Sequence, residues 1–138
     1  MKKKIFSMVL ALVMVLSLSA SFAFAAGGIT PYRTSSVSIN PVRVSDTYGV
    51  VDVDVTFSTT ADEYSVAIVL QQKNGSTWAT AVGAGSPTEY FRGTNRKTVY
   101  CSDSWNLLAG KLYRVKVVST DYYDSGSSYT TTTYSDPF

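Results

Sequence analysis

The chain has 138 residues, with 12 Lys and Arg against 10 Asp and Glu, no histidine and a formal net charge of +2. Without histidine, no Ser-His-Asp or Cys-His arrangement is available, and the commonest transition-metal ligand is missing. A single cysteine, Cys101, makes neither an internal disulfide nor a zinc cluster, and the near-neutral balance gives no general attraction to nucleic acid.

The chain opens on a basic head, Lys2, Lys3 and Lys4, followed by an apolar run from Ile5 to Leu18 and the small-residue pattern Ala23-Phe24-Ala25. A short apolar run with a cleavage site behind it reads as a secretory signal rather than a membrane span, with an uncleaved anchor as the alternative. The leader resembles those of small secretory proteins of Gram-positive Firmicutes. Cleavage after Ala25 gives residues 1–25 as signal peptide and leaves 113 residues. Losing the three signal lysines leaves nine basic against ten acidic side chains, a net charge of −1. No membrane insertion is expected of the chain once the signal is removed.

Residues 26–34 are small, Gly-rich and broken by Pro31, a flexible lead-in to one β domain over 35–138. Period-two alternation then dominates. "SSVSINPVRVS" reads as a first strand, at an edge because Pro41 has no amide hydrogen to give a ladder. "VVDVDVTFS" puts Val51, Val53, Val55 and Phe57 on one face and Asp52 and Asp54 on the other. "YSVAIVLQQ" repeats the pattern with Tyr64, Val66, Ile68 and Leu70. Asn74-Gly75 marks a type I′ hairpin turn, a better explanation than the glycosylation sequon it also forms. Residues 83–95, with three glycines and a proline, read as loop or a poorly formed edge strand. Strands resume around Val99 and Cys101, again from Tyr113 through Val115 and Val117, and in the Thr-rich "YTTTTYSD". Cys101 reads as a small buried hydrophobe. About seven short strands between turns predict an antiparallel sandwich.

"LLAGKLY", residues 107–113, makes the prediction more specific. It resembles the stretch between strands E and F of fibronectin type III domains, commonly Leu-x-Pro-Gly-Thr-x-Tyr. Leu107, Gly110 and Tyr113 match, whereas Ala109 and Lys111 stand where proline and threonine are usual, and Phe57 where tryptophan is frequent. The resemblance covers most of residues 35–136 and implies a seven-stranded immunoglobulin/fibronectin III-like sandwich with a tyrosine corner. There the Tyr113 ring would enter the core and its hydroxyl would reach back to backbone near 107–110. A different all-β sandwich or small barrel is the alternative.

No catalytic, metal or cofactor site is expected. Asp52 and Asp54 are a solvated strand face rather than an acid pair. The tyrosines are more suggestive. Tyr122 and Tyr123, set among Asp, Ser and Gly, resemble the rigid aromatic contacts of antibody loops. In the sandwich, the loop 59–63 and the loops around Arg92 and after Asp121 share one end. That end would collect Asp62, Glu63, Arg92, Tyr122, Tyr123 and Asp124, with Tyr90 and Phe91. The expectation is a monomeric, non-catalytic binding or adhesion module, secreted or at the cell surface, with a protein ligand. Carbohydrate binding is the alternative, with Trp78 and Trp105 as candidate stacking rings, though both suit a core. A bacteriocin-like or structural role is the third reading, without a cationic amphipathic helix to support membrane attack.

Overall fold

Alternating apolar residues without a glycine or proline to interrupt them give strands longer than the sequence predicts. The computed structural model describes residues 36–138, so the signal and lead-in, residues 1–34, lie outside the described residues. Six strands are present among the described residues, and no helix: β1 (Ser36–Ser45), β2 (Tyr48–Asn74), β3 (Thr77–Thr80), β4 (Thr88–Asn106), β5 (Tyr113–Tyr122) and β6 (Ser128–Tyr134). All pair antiparallel in one curled sheet of order β1-β2-β5-β6, with β3 and β4 also on β2.

The strand count differs from the expected seven because two expected loops are strand. Residues 59–63 do not leave the sheet: β2 runs through them for 27 residues. Nothing between Val50 and Asn74 is Gly or Pro, so no residue there breaks the extended backbone. Likewise β4 begins at Thr88, inside the expected loop, and takes in the glycine at 93 over its 19 residues. Both strands bend at the same level. The β2–β4 register slips between Thr56 and Ala61, and opposite that slip Asn95 adopts a positive φ of 53°. A slipped register bends a strand and increases its twist, and here it folds the sheet over its own inner face.

The bend divides the sheet into two layers. In one, the first half of β2 lies between β1 and the second half of β4; in the other, the second half of β2 lies between β5 and the first half of β4. Val51, Val53, Val55, Phe57, Val66, Ile68, Leu70, Val115 and Val117 are all fully buried in one cluster between the layers, joined by Cys101 and Trp105. Each such side chain is worth about 1.5–3 kcal/mol in area removed from water. Asp52 and Asp54 face outward, which fixes the register.

Two turns differ in detail from the sequence reading. Asn74 pairs with Thr77, so the β2–β3 turn is Gly75-Ser76, and only Gly75 has a positive φ, 62°. One positive φ at the first central residue is the type II′ pattern, not type I′. The polar stretch 120–129, which reads as a loop by composition, is strand except at residues 123–127. The Tyr123 amide donates to Ser127 O at 3.0 Å and the Gly126 amide to Tyr123 O at 2.8 Å, with Gly126 at φ 79°. Asp121 and Tyr122 are therefore strand residues.

Gly93 marks a close approach rather than a turn. A Cβ there would lie 2.6 Å from the Tyr64 hydroxyl and 2.8 Å from Cζ, so the Tyr64 ring occupies the space a side chain would need.

Candidate functional site

Because neighbouring residues on a strand point to opposite faces, Tyr122 and Tyr123 separate. Tyr122 stands on the outer face, 43% exposed, in register with Glu63. Tyr123 turns back. Its hydroxyl donates to Asp121 Oδ2 at 2.5 Å and accepts from Thr59 Oγ1 at 3.2 Å, and its ring meets Tyr129 edge-on at 6.0 Å. Asp121 is 1% exposed, and its Oδ1 has no partner among the described residues. Tyr123 is thus occupied in satisfying a buried carboxylate.

The remaining expected residues assemble in part. Asp62 Oδ2 accepts the Asp124 amide hydrogen at 2.7 Å, tying β2 to the β5–β6 turn. Arg92 lies in register with Ser65 on the neighbouring strand. Together Glu63, Ser65, Arg92, Thr94 and Tyr122 line an open hollow of about 500 Å³, floored by Tyr64 and Gly93. The hollow exists because Ser65 is small, while Arg92 and Tyr122 rise on either side of it. The Arg92 guanidinium lies 5.8 Å from the centroid of Tyr90. A cation, a carboxylate, the Ser65 and Thr94 hydroxyls and an aromatic face are therefore presented together on the outer face of the sheet.

Further along the outer face is an arrangement the sequence does not announce. Arg114 lies between two rings, 4.6 Å from Trp78 and 4.2 Å from Tyr134, and its Nε donates to Gln71 Oε1 at 2.8 Å. Trp78 is accordingly a half-exposed surface residue, whereas Trp105 is buried, 2% exposed. Only the strand register brings residues 71, 78, 114 and 134 together, so no local motif could have flagged them.

At the opposite end, Tyr113 is 1% exposed and its hydroxyl accepts the Leu108 amide hydrogen at 2.9 Å. Leu107 is buried, and Gly110 holds φ 70°, which a side chain would disfavour. Arg43 completes this corner. It donates to Lys111 O at 2.8 Å, Leu108 O at 3.1 Å and Asp46 O at 2.9 Å, with its guanidinium 5.9 Å from the Tyr113 ring centroid. Its place on β1, 65 residues before Leu108, left no sequence signal.

Two titratable groups of the other layer show the effect of burial. The Cys101 thiol is pushed up to about 11, first by desolvation and then by Asp54, which leaves it protonated and unreactive at neutral pH. Asp103 is raised first by burial and then by Glu89, against the lowering effect of the Ser104 amide that it accepts at 2.7 Å. Its Oδ2 is buried without a partner. The fold therefore binds the Asp103 proton more tightly than the unfolded chain does. Its contribution to stability falls as pH rises from about 4 through the raised folded value, and the penalty is complete above it. Asp103→Asn, which keeps an acceptor for Ser104, should raise the melting temperature at pH 7 and leave it nearly unchanged below pH 4. Melting curves of both proteins across that range check this, and a lower melting temperature for the variant at pH 7 would contradict it.

No family model matches the chain, and no curated protein does. Among solved structures it is similar to the ApaA protein of Bordetella pertussis, at 11% identity and a TM-score of 0.45, over 77% of this chain and 91% of that one. It is also similar to part of a Bacteroides uniformis β-glucuronidase, at 13% identity and a TM-score of 0.40, over 71% of this chain and 12% of the enzyme. A β-glucuronidase 2 of the same organism, covalently bound to a cyclophellitol-type aziridine, gives the same values. These likenesses are distant.

Proposed function

We propose that this chain is an exported, non-catalytic binding module with an immunoglobulin/fibronectin III-like sandwich, recognising a protein partner through the outer face of its larger layer. The fold part of this reading is supported by three strand segments packing over five, the short β3 included, once β2 and β4 are divided at their bends. The Tyr113 hydroxyl on the Leu108 amide, as in a tyrosine corner, supports it further. Export rests on the leader and its Ala23-Phe24-Ala25 site.

The binding part rests on one observation: Tyr122 and Arg92 stand on either side of Ser65 above an open hollow that also carries Glu63. Tyr and Arg are the residue types that most often anchor protein interfaces. A carbohydrate ligand is the second reading, favoured by Trp78, Tyr90, Tyr122 and Tyr134 as partly exposed aromatic side chains of this layer. Pull-down from the extracellular fraction and a glycan array, each run with the parent protein and with Tyr122→Ala/Arg92→Ala, test both. The double variant should keep its melting temperature within about 2 °C and lose binding by roughly thirtyfold or more. Equal capture by parent and variant would reject the hollow as the site.

A further inference from the structure

The edges of this sheet are not equally protected. β1 carries Pro41 and Arg43, and the exposed half of β4 carries Glu89, Arg92, Arg96 and Lys97. Proline and charge at an edge discourage another strand from pairing with it. β6, with sequence Ser-Tyr-Thr-Thr-Thr-Thr-Tyr, has no proline, no glycine and no charge, and among the described residues it pairs only with β5.

The hydrogen-bond phase of β6 fixes what its open side offers. The Ser135 amide donates to Val115 O, and Ser127 O accepts from the Tyr123 amide, so odd-numbered residues face β5. Antiparallel alternation then turns the N–H and C=O groups of Ser128, Thr130, Thr132 and Tyr134 outward. The side chains of the same four residues are exposed.

We propose that β6 is a homodimerisation edge, pairing antiparallel with β6 of a second copy about a two-fold axis at Thr131. This departs from the monomer expected of the sequence. Three observations favour a second copy. First, the outward-bonding residues are symmetric about Thr131. Full overlap sets Thr130 opposite Thr132 of the other copy and Ser128 opposite Tyr134, so every outward donor meets an outward acceptor. Second, such a pairing brings no like charges together, whereas the charged β4 edge would bring several. Third, the side-chain chemistry is already in use one strand inward: Thr120 Oγ1 and Thr130 Oγ1 are hydrogen-bonded at 2.9 Å. Thr130 against Thr132 of the second copy continues that threonine ladder, and such cross-strand pairs are stabilising. A two-fold axis normal to the sheet keeps both outer faces on the same side, so the dimer would present two hollows on one continuous surface.

Sedimentation equilibrium of the purified protein over roughly 1–100 µM reads the association directly. The parent should shift from monomer to dimer within that range. Thr130→Lys/Thr132→Lys places lysine opposite lysine twice, at exposed positions, and should weaken association roughly tenfold or more, with only the small drop in the monomer's melting temperature that loss of the Thr120–Thr130 pair brings. Thr130→Lys/Thr132→Glu places lysine opposite glutamate in this register alone and should restore it. A parent that stays monomeric throughout, a Lys/Lys variant that associates like the parent, or a Lys/Glu variant no stronger than Lys/Lys would overturn the proposal. Should the Lys/Lys variant fail to fold, hydrogen exchange on the parent decides. Thr130 and Thr132 amides should be protected only at associating concentrations, and unprotected amides there would overturn it. The outcome does not depend on whether the hollow binds a partner.

Discussion

Phe57→Ala should cost about 3–5 kcal/mol. Phe57 is fully buried and stands at the register slip itself, next to Thr56, the last β2 residue paired regularly before it. Its ring lies against Tyr64 with centroids 6.0 Å apart, so it fills the inside of the bend from both sides. Truncation removes an aromatic transfer term and opens a cavity that a continuous strand cannot collapse to fill. With domain stabilities of about 5–15 kcal/mol, that loss takes about a fifth or more of the total. At this size the melting temperature should fall by roughly 12 °C or more. Urea titration with Phe57→Leu as a milder control checks this. A loss under about 1 kcal/mol would place the ring outside the core.

Tyr123→Phe should cost about 2–3 kcal/mol, although it removes one oxygen from a partly exposed ring. The reason is the buried Asp121, whose Oδ2 accepts the Tyr123 hydroxyl while Oδ1 has no partner. Removing that donor leaves a buried carboxylate short of the bond that offsets its desolvation. Tyr122→Phe should change stability by less than about 0.5 kcal/mol, since that hydroxyl sits on an exposed ring. Adding Asp121→Asn to Tyr123→Phe should recover part of the loss, because a neutral amide costs less to bury than a charge. Equal melting temperatures for Tyr122→Phe and Tyr123→Phe would contradict the assignment.

These two tyrosines also mark how far the sequence could be read. Period-two alternation located the core at Val51–Phe57, Tyr64–Leu70 and Tyr113–Val117, since burial on one face of a strand leaves a local trace. The same rule, carried on from Tyr113, places Asp121 on the inner face and Tyr122 on the outer. The polar composition of residues 120–129 suggested a loop instead, and polar residues are tolerated at a strand end that closes on its own hydroxyls. Thr59 to Glu63 misled in the same way: polar side chains do not end a strand when no residue there breaks the backbone. Arg43, Arg114 and the Arg92 hollow depend on which strands become neighbours. That is set by the fold of the whole sheet and leaves nothing in the adjacent residues.

The uninterrupted passage of β2 from one layer to the other has a consequence for anyone grafting new segments onto this scaffold. An immunoglobulin-like domain is ordinarily diversified in the loops between its strands, where added residues leave the ladder intact. Here residues 59–63 lie within a strand, and Ala61 is fully buried, so an insertion there would part both layers at their shared backbone. The tolerant positions are the reversals that hold no core side chain, Gly75-Ser76 and Ser125-Gly126. They belong to turns on different strands, so a foreign peptide is best carried at one of them alone.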